Sequence, residues 1–222
     1  MDLLILFSLL ISGLLVVLFP LLFAELMAAS LVKLHLSPDS ALLLVIGIIV
    51  GGFINIPVKR LSRSEDVMVY PYAAFGLARR YPRWQRRRSD TIIAVNLGGC
   101  VIPTALAIYE LAQLDAAMLP TVGIIAAVNI AVCYLLARPV DGVGITLPGL
   151  VPALVAALLA WNLAGGQAAP VAFIAGIAGP LVGADLLHLK DISKMATGVA
   201  SIGGAGTFDG IVLSGIVAAY LA

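Results

Sequence analysis

The sequence predicts an all-α, polytopic membrane protein of about seven transmembrane helices, some of them broken by glycine or proline. Three observations predict it. Of 222 residues, 62% are hydrophobic and only 11% are charged, where a soluble domain of this size carries about a quarter charged. The apolar residues gather into six or seven runs near the roughly 20 residues that a bilayer core demands. The basic residues are concentrated in alternate loops, as expected when those loops stay in the cytoplasm.

The elements follow in order, as one membrane domain over 1–222. Span one covers about 3–24, with room to continue past Pro20 and Glu25 towards Val32. It opens with Asp2 instead of a basic region and is long, so it reads as a retained span and not a cleaved leader. Span two covers about 40–56. A basic loop follows at about 57–90, and then span three at about 91–109 and span four at about 119–137. Spans five, six and seven lie at about 143–163, 169–189 and 205–222.

The basic loop holds Lys59, Arg60, Arg63, Arg79, Arg80, Arg83, Arg86, Arg87 and Arg88, nine of the thirteen basic residues. Placing it inside puts the N-terminus in the cytoplasm and the C-terminus outside. Arg138, Lys190 and Lys194 then also fall inside, and only Lys33 falls outside. This predicts a multi-pass protein of the cytoplasmic (inner) membrane. Residues 67–77 (VMVYPYAAFGL) are apolar and aromatic, and Tyr81 and Trp84 lie among the arginines. Rings beside basic groups suit an anionic headgroup zone. The expected partner is therefore the lipid bilayer and not nucleic acid. Cys100 and Cys133 each lie in an apolar run without metal-site spacing. They read as small core residues, and no motif implies a nucleotide, haem, flavin or metal.

Glycine and proline fall within spans at Pro20, Gly51, Gly52, Gly98, Gly99, Pro103, Pro148, Pro152 and Pro180. Small residues let helices approach closely, and broken helices are tolerated where they surround a polar interior. Residues 51–57 (GGFINIP) echo residues 98–103 (GGCVIP), with Asn55 and Asn96 close by. The two stretches lie on antiparallel spans, as short inverted repeats would.

An ionisable residue within the membrane is a functional candidate by default. Glu25 and Glu110 read as lying near the outer span ends, which leaves Asp141, Asp185 and Asp209. Asp185 lies in GPLVGADLLHL (179–189), five residues before Lys190. Asp209 lies in GGAGTFDGIVLSG (203–215), five residues after Gly204. Five residues span about 8 Å of helix, so the two carboxyls are expected at similar depth on neighbouring antiparallel helices. A close carboxyl pair holds one proton, and the ionised partner can activate water. The alternative is a buried structural pair. Gly183, Gly204, Gly206 and Gly210 would let backbone or substrate come close, or would only pack helices. His188, three residues after Asp185, would orient it, relay a proton or help bind a cation, or else line an interface. Asp141, in RPVDGVGITLPGLVP (138–152) with Pro148 and Pro152, is either a helix cap beside Arg138 or a third acid in the same cavity. Asn55 and Asn96 complete the polar set.

The blocks GGFINIPV, AVNLGG with IP, VDGVGITLPGLVPAL, GADLLHL and GGAGTFDG resemble an uncharacterised prokaryotic membrane family, domain of unknown function 1614. That resemblance implies a membrane fold and no particular activity. GAD at Asp185 and GAGTFD at Asp209 are also similar to the motifs of the GxGD intramembrane aspartyl proteases, such as presenilin, signal peptide peptidase and the prepilin peptidases. Here Thr207 and Phe208 separate Gly206 from Asp209, and the tripeptide Pro152-Ala153-Leu154 precedes both acids. This second resemblance implies Asp185 and Asp209 as a catalytic pair and membrane helices or signal peptides as substrates. The residues themselves leave open a cation- or proton-coupled transporter or channel lined by the same acids, or a non-catalytic membrane protein.

Overall fold

The structure, a computed structural model, describes residues 3–69, 83–140, 144–192 and 198–222. It is mostly helical. α1 (Leu3–Lys33) runs unbroken through Pro20. α2 (Pro38–Gly51) starts where the chain must turn: the Ser37 hydroxyl accepts the Ser40 amide at 3.2 Å, and Pro38 fills the first turn, where no donor is needed. After the hairpin described below come α3 (Ile102–Gln113), α4 (Leu119–Leu136), α5 (Leu150–Leu163), α6 (Ala168–Ala178), the short α7 (Leu189–Ile192) and α8 (Gly210–Leu221). π-helical segments lead into α3 (Leu97–Val101) and extend α6 (Gly179–Leu186). Three stretches, Ile5–Lys33, Ala116–Leu136 and Gly165–Asp191, are long and apolar enough to cross a membrane. Four shorter apolar helices accompany them, at Pro38–Gly51, Leu97–Gln113, Leu150–Leu163 and Gly210–Leu221. The chain is a membrane protein by this measure.

The basic segment at 57–90 is not a loop over its described residues. It forms a long antiparallel ribbon of β1 (Asn55–Val69) and β2 (Arg83–Asn96). The register sets Glu65 opposite Arg87 and Asp66 opposite Arg86. The ribbon also takes residues 91–96 from the expected third span, whose helical part begins at Leu97. A third strand, β5 (Val199–Ile202), lies parallel to β2, giving the order β1-β2-β5. A small second ribbon pairs β3 (Arg138–Val140) with β4 (Gly144–Thr146). The all-α expectation therefore holds for the bundle and not for the end from which these ribbons project.

The core lies where α5, α6, α8 and α1 meet. Ala153, Ala156, Ala160, Val171, Ala172, Ala175, Ile211, Val212, Ala218 and Met27 are all fully buried there. Small side chains let the helix axes come close, which is how apolar helices associate without a hydrophobic drive between them. At the α6–α8 crossing a Cβ on Gly176 would lie 2.8 Å from the Ser214 carbonyl oxygen. At the far end of the bundle, the Lys33 ammonium donates to the Tyr220 carbonyl and lies 5.5 Å above the Tyr220 ring. This satisfies the C-terminal turn of α8.

Candidate functional site

The base of the long ribbon is built from glycine and asparagine. Gly51 and Gly52 close α2, and Gly98 and Gly99 open the helix after β2. A Cβ on Gly98 would fall 2.0 Å from the Ile48 carbonyl oxygen, and one on Gly99 would fall 2.0 Å from that of Gly203. Backbone therefore packs directly on backbone. Asn96 is fully buried at the centre. Its amide nitrogen donates to the Gly52 carbonyl at 2.8 Å and to Asn55 Oδ1 at 3.1 Å, while its Oδ1 accepts from the Gly99 amide at 2.7 Å. Asn55 Oδ1 also accepts from the Ser201 hydroxyl. The echo between 51–57 and 98–103 thus becomes a contact: the two glycine pairs lie together, and Asn55 and Asn96 are cross-strand partners.

This base carries β5, and β5 leads into the turn that presents Asp209. Gly203 and Gly206 adopt φ of 72° and 62°, values that side chains rarely tolerate. Asp209 caps α8: Oδ1 accepts the Ile211 amide at 3.0 Å and Oδ2 accepts the Ala205 amide at 3.3 Å. Asp185 comes from the opposite side. Pro180 removes one donor and the chain widens into the π-helical turns of Gly179–Leu186. There Asp185 lines the same cavity as Gly203 and Asp209.

The two acids, both half-buried, open onto one cavity of about 360 Å³. Its other walls are Gly144 and Ile145 of β4, the strand Val199–Ile202, and Gly203, Gly204 and Ala205. Among the described residues, β5 pairs on one edge only, with β2. Cys100 is buried in the π-helical turn that leads into α3. The turn 205–208 also walls a second, apolar cavity of about 320 Å³, lined by Pro20, Phe23, Met27, Ile49, Phe53 and Phe208 among others. Phe208 stacks on Phe19 there, with ring centroids 5.7 Å apart.

Asp185, Asp209 and Gly204 thus come together, while Gly206 borders the apolar cavity. The other expected members have different places. His188 turns back on its own helix, with Nδ1 at 3.1 Å and 3.0 Å from the Gly183 and Ala184 carbonyls, and stacks on Tyr134. These contacts hold the ring against its own helix. Gly183 serves packing, since a Cβ there would lie 2.3 Å from the Ile130 carbonyl oxygen of α4. Gly210 has open space around it and only begins α8. Pro152 is buried in the first turn of α5, and Pro148 is exposed just before it. Asn55 and Asn96 pin the ribbon base one layer behind the cavity. Asp141 lies outside the described residues, as do Tyr70, Tyr72, Phe75 and Tyr81.

Sequence reasoning missed three contributors. Val199–Ile202 reads as part of an inside loop, and only its β-branched ends, Val199 and Ile202, hint at a strand. Gly144 and Ile145 lie in a segment read as the entry to a span. Glu110, placed by its position near an outer span end, is buried, with 4% exposure. Its four- and three-residue spacing from the apolar Leu106 and Ala107, which share its buried face, was the available signal.

Over residues 49–221 the chain matches the family described as Protein of unknown function (DUF1614). It belongs to that family. Comparison with curated proteins returns no match, and comparison with solved structures returns none.

Proposed function

We propose that this member of family DUF1614 is a multi-pass protein of the cytoplasmic membrane in which Asp185 and Asp209 act as an aspartyl pair, hydrolysing a peptide bond in a membrane-derived segment. All seven apolar helices cross or enter the bilayer, with the N-terminus and the basic ribbon inside and the C-terminus outside. The charge placement favours this orientation: the cavity is walled by β5, which pairs with the basic ribbon, and by β4, which pairs with the Arg138 strand, while Lys33 caps α8.

One observation carries the chemistry: two carboxyls from separate helix ends face one cavity bounded by a strand that, among the described residues, pairs on one edge only. An extended peptide can add to such an edge through main-chain hydrogen bonds, which would lay a scissile amide across the acids. One carboxylate takes a proton from water, whose oxygen attacks the carbonyl carbon. The protonated partner polarises the carbonyl oxygen. The C–N bond then breaks and the leaving amine takes a proton. The glycine turn keeps side chains away from the path of the incoming backbone.

The test uses the whole purified protein and a quenched fluorescent single-span peptide. Asp185→Asn and Asp209→Asn should each lower cleavage by about a hundredfold or more. A peptide with a hydroxyethylene group in place of the scissile amide should bind the wild type and lose affinity for both variants. Cleavage that survives in both variants, or a wild type that neither cleaves nor binds the isostere, overturns the proposal.

A second reading, proton- or cation-coupled transport past the same acids, is favoured by a different observation. Glu110 Oε1 and Ser214 Oγ are buried in the apolar bundle with no hydrogen-bond partner among the described residues. Such atoms are expensive within a bilayer and mark ion or proton paths.

A further inference from the structure

We infer that the apolar cavity between α1, the end of α2 and the 205–208 turn is the side-chain pocket of the aspartyl site, and that it takes an aromatic or large aliphatic residue of the substrate near the scissile bond. This deepens the cleavage reading and rests on it. The turn itself is the link. Ala205 walls both cavities, and its amide donates to Asp209 Oδ2 at 3.3 Å. Thr207 and Phe208, the two residues before Asp209, wall the apolar cavity only. The pocket thus begins one hydrogen bond away from a reacting carboxyl. β5 ends at Ile202, directly before this turn. A segment laid along its edge therefore arrives at the corner that the two cavities share. Gly203, Gly204 and Gly206 put no side chain there.

The cavity has the size and depth that such a residue needs. Its volume is about 320 Å³, and an apolar cavity of about 150 Å³ already holds a benzene ring. Phe53 forms the rim, 86% exposed, while Met27 is fully buried and Phe23 nearly so. Among the described residues, only Thr207 gives the lining a polar side chain. A charged or amide side chain would lose its hydration there with little in return. The Phe23 and Phe208 rings lie 5.3 Å apart between centroids and offer both faces and edges to a third ring. Met27 is unbranched and adjusts to more than one shape. A lipid chain would suit the same lining. What favours a substrate residue is that one wall is the segment that carries Asp209.

The test uses the full-length protein in detergent and quenched fluorescent single-span peptides. Mass spectrometry locates the cut in a parent peptide, and each residue flanking it is then varied in turn between Ala, Leu and Phe. At one flanking position the wild type should favour Phe over Ala by at least about tenfold in kcat/KM. Ala24→Phe, which fills the pocket from α1, should bring that ratio close to one. Phe53→Ala, which removes the exposed rim, should lower it several-fold. If Ala24→Phe does not elute as the wild type does in size-exclusion chromatography, Phe53→Ala decides, since so exposed a ring adds little to the fold. A wild type that cuts no peptide overturns the cleavage reading and this pocket with it. Cutting without preference at any flanking position, or a preference that the deciding variant keeps in full, overturns the pocket alone and leaves the cavity to lipid.

Discussion

Gly99 and Gly215 are both buried glycines at element crossings, yet their neighbours differ in kind. A Cβ on Gly99 would fall 2.0 Å from the Gly203 carbonyl oxygen and 3.0 Å from that of Gly206. A Cβ on Gly215 would meet the end of the Ile177 side chain at 2.4 Å. At the ribbon base, main chain presses on main chain that is held by the Asn96 hydrogen bonds. In the bundle, main chain presses on a side chain that has other rotamers. The first region is rigid by construction, and it is the region that positions Asp209. The second tolerates adjustment.

The largest effect expected from this contrast is at Gly99→Ala. No rotamer relieves the clash, so β5 and the Gly203 turn must move away from the helix. Overpacking of a fixed backbone costs about 3 kcal/mol or more. Thermal unfolding in detergent should show a large fall in Tm, or the variant should not accumulate. A Tm near that of the wild type would mean that the ribbon base is soft and that the comparison is wrong.

That rigid region was only half legible in the sequence. The glycine pairs and the asparagines at 51–55 and 96–99 stand out as a repeated pattern, and both pairs do meet. Their partner did not stand out. Gly203 and Gly206 are spaced like helix-packing residues, and nothing local announces that Val199–Ile202 will pair with Ile92–Val95, more than a hundred residues earlier. Strand pairing at such separation is a tertiary outcome. The ribbon was hidden for a related reason: a run of arginines reads as a loop, and its pairing with Asn55–Val69 is again a tertiary outcome. The bundle was easier, because long apolar runs leave few alternatives to a spanning helix. Asp185 and Asp209 were legible for the same reason, as scarce acids in apolar surroundings. The role of His188 was not, since the π-helical widening that bends the ring back to its own carbonyls is invisible in spacing alone.

The intermediate case sharpens the contrast. Gly215→Ala pushes on Ile177 and, at 3.3 Å, on the Phe173 ring. Both can shift within the α6–α8 contact at a cost of about 1–2 kcal/mol. The same unfolding assay should place its Tm clearly between those of the wild type and Gly99→Ala. A loss equal to that of Gly99→Ala would show that the bundle crossing is as unyielding as the ribbon base.

The smallest effect belongs to a glycine with no neighbour. Gly123 lies on the exposed face of α4, within Leu119–Leu136, and a Cβ there meets nothing within 4 Å. Alanine at an interior helix position is favoured over glycine by about 1 kcal/mol in water, because it restricts the unfolded backbone more. In a bilayer or micelle the unfolded reference keeps much of its helix, so the gain should be smaller. Gly123→Ala should therefore leave Tm unchanged or raise it slightly, with cleavage untouched. A loss of stability there would mean that this face of α4 is covered in the assembled protein, by a second copy or another membrane helix. Crosslinking through a cysteine placed at 123 would then identify that neighbour, and the rank order of the three glycines would reflect assembly as well as backbone contact within one chain.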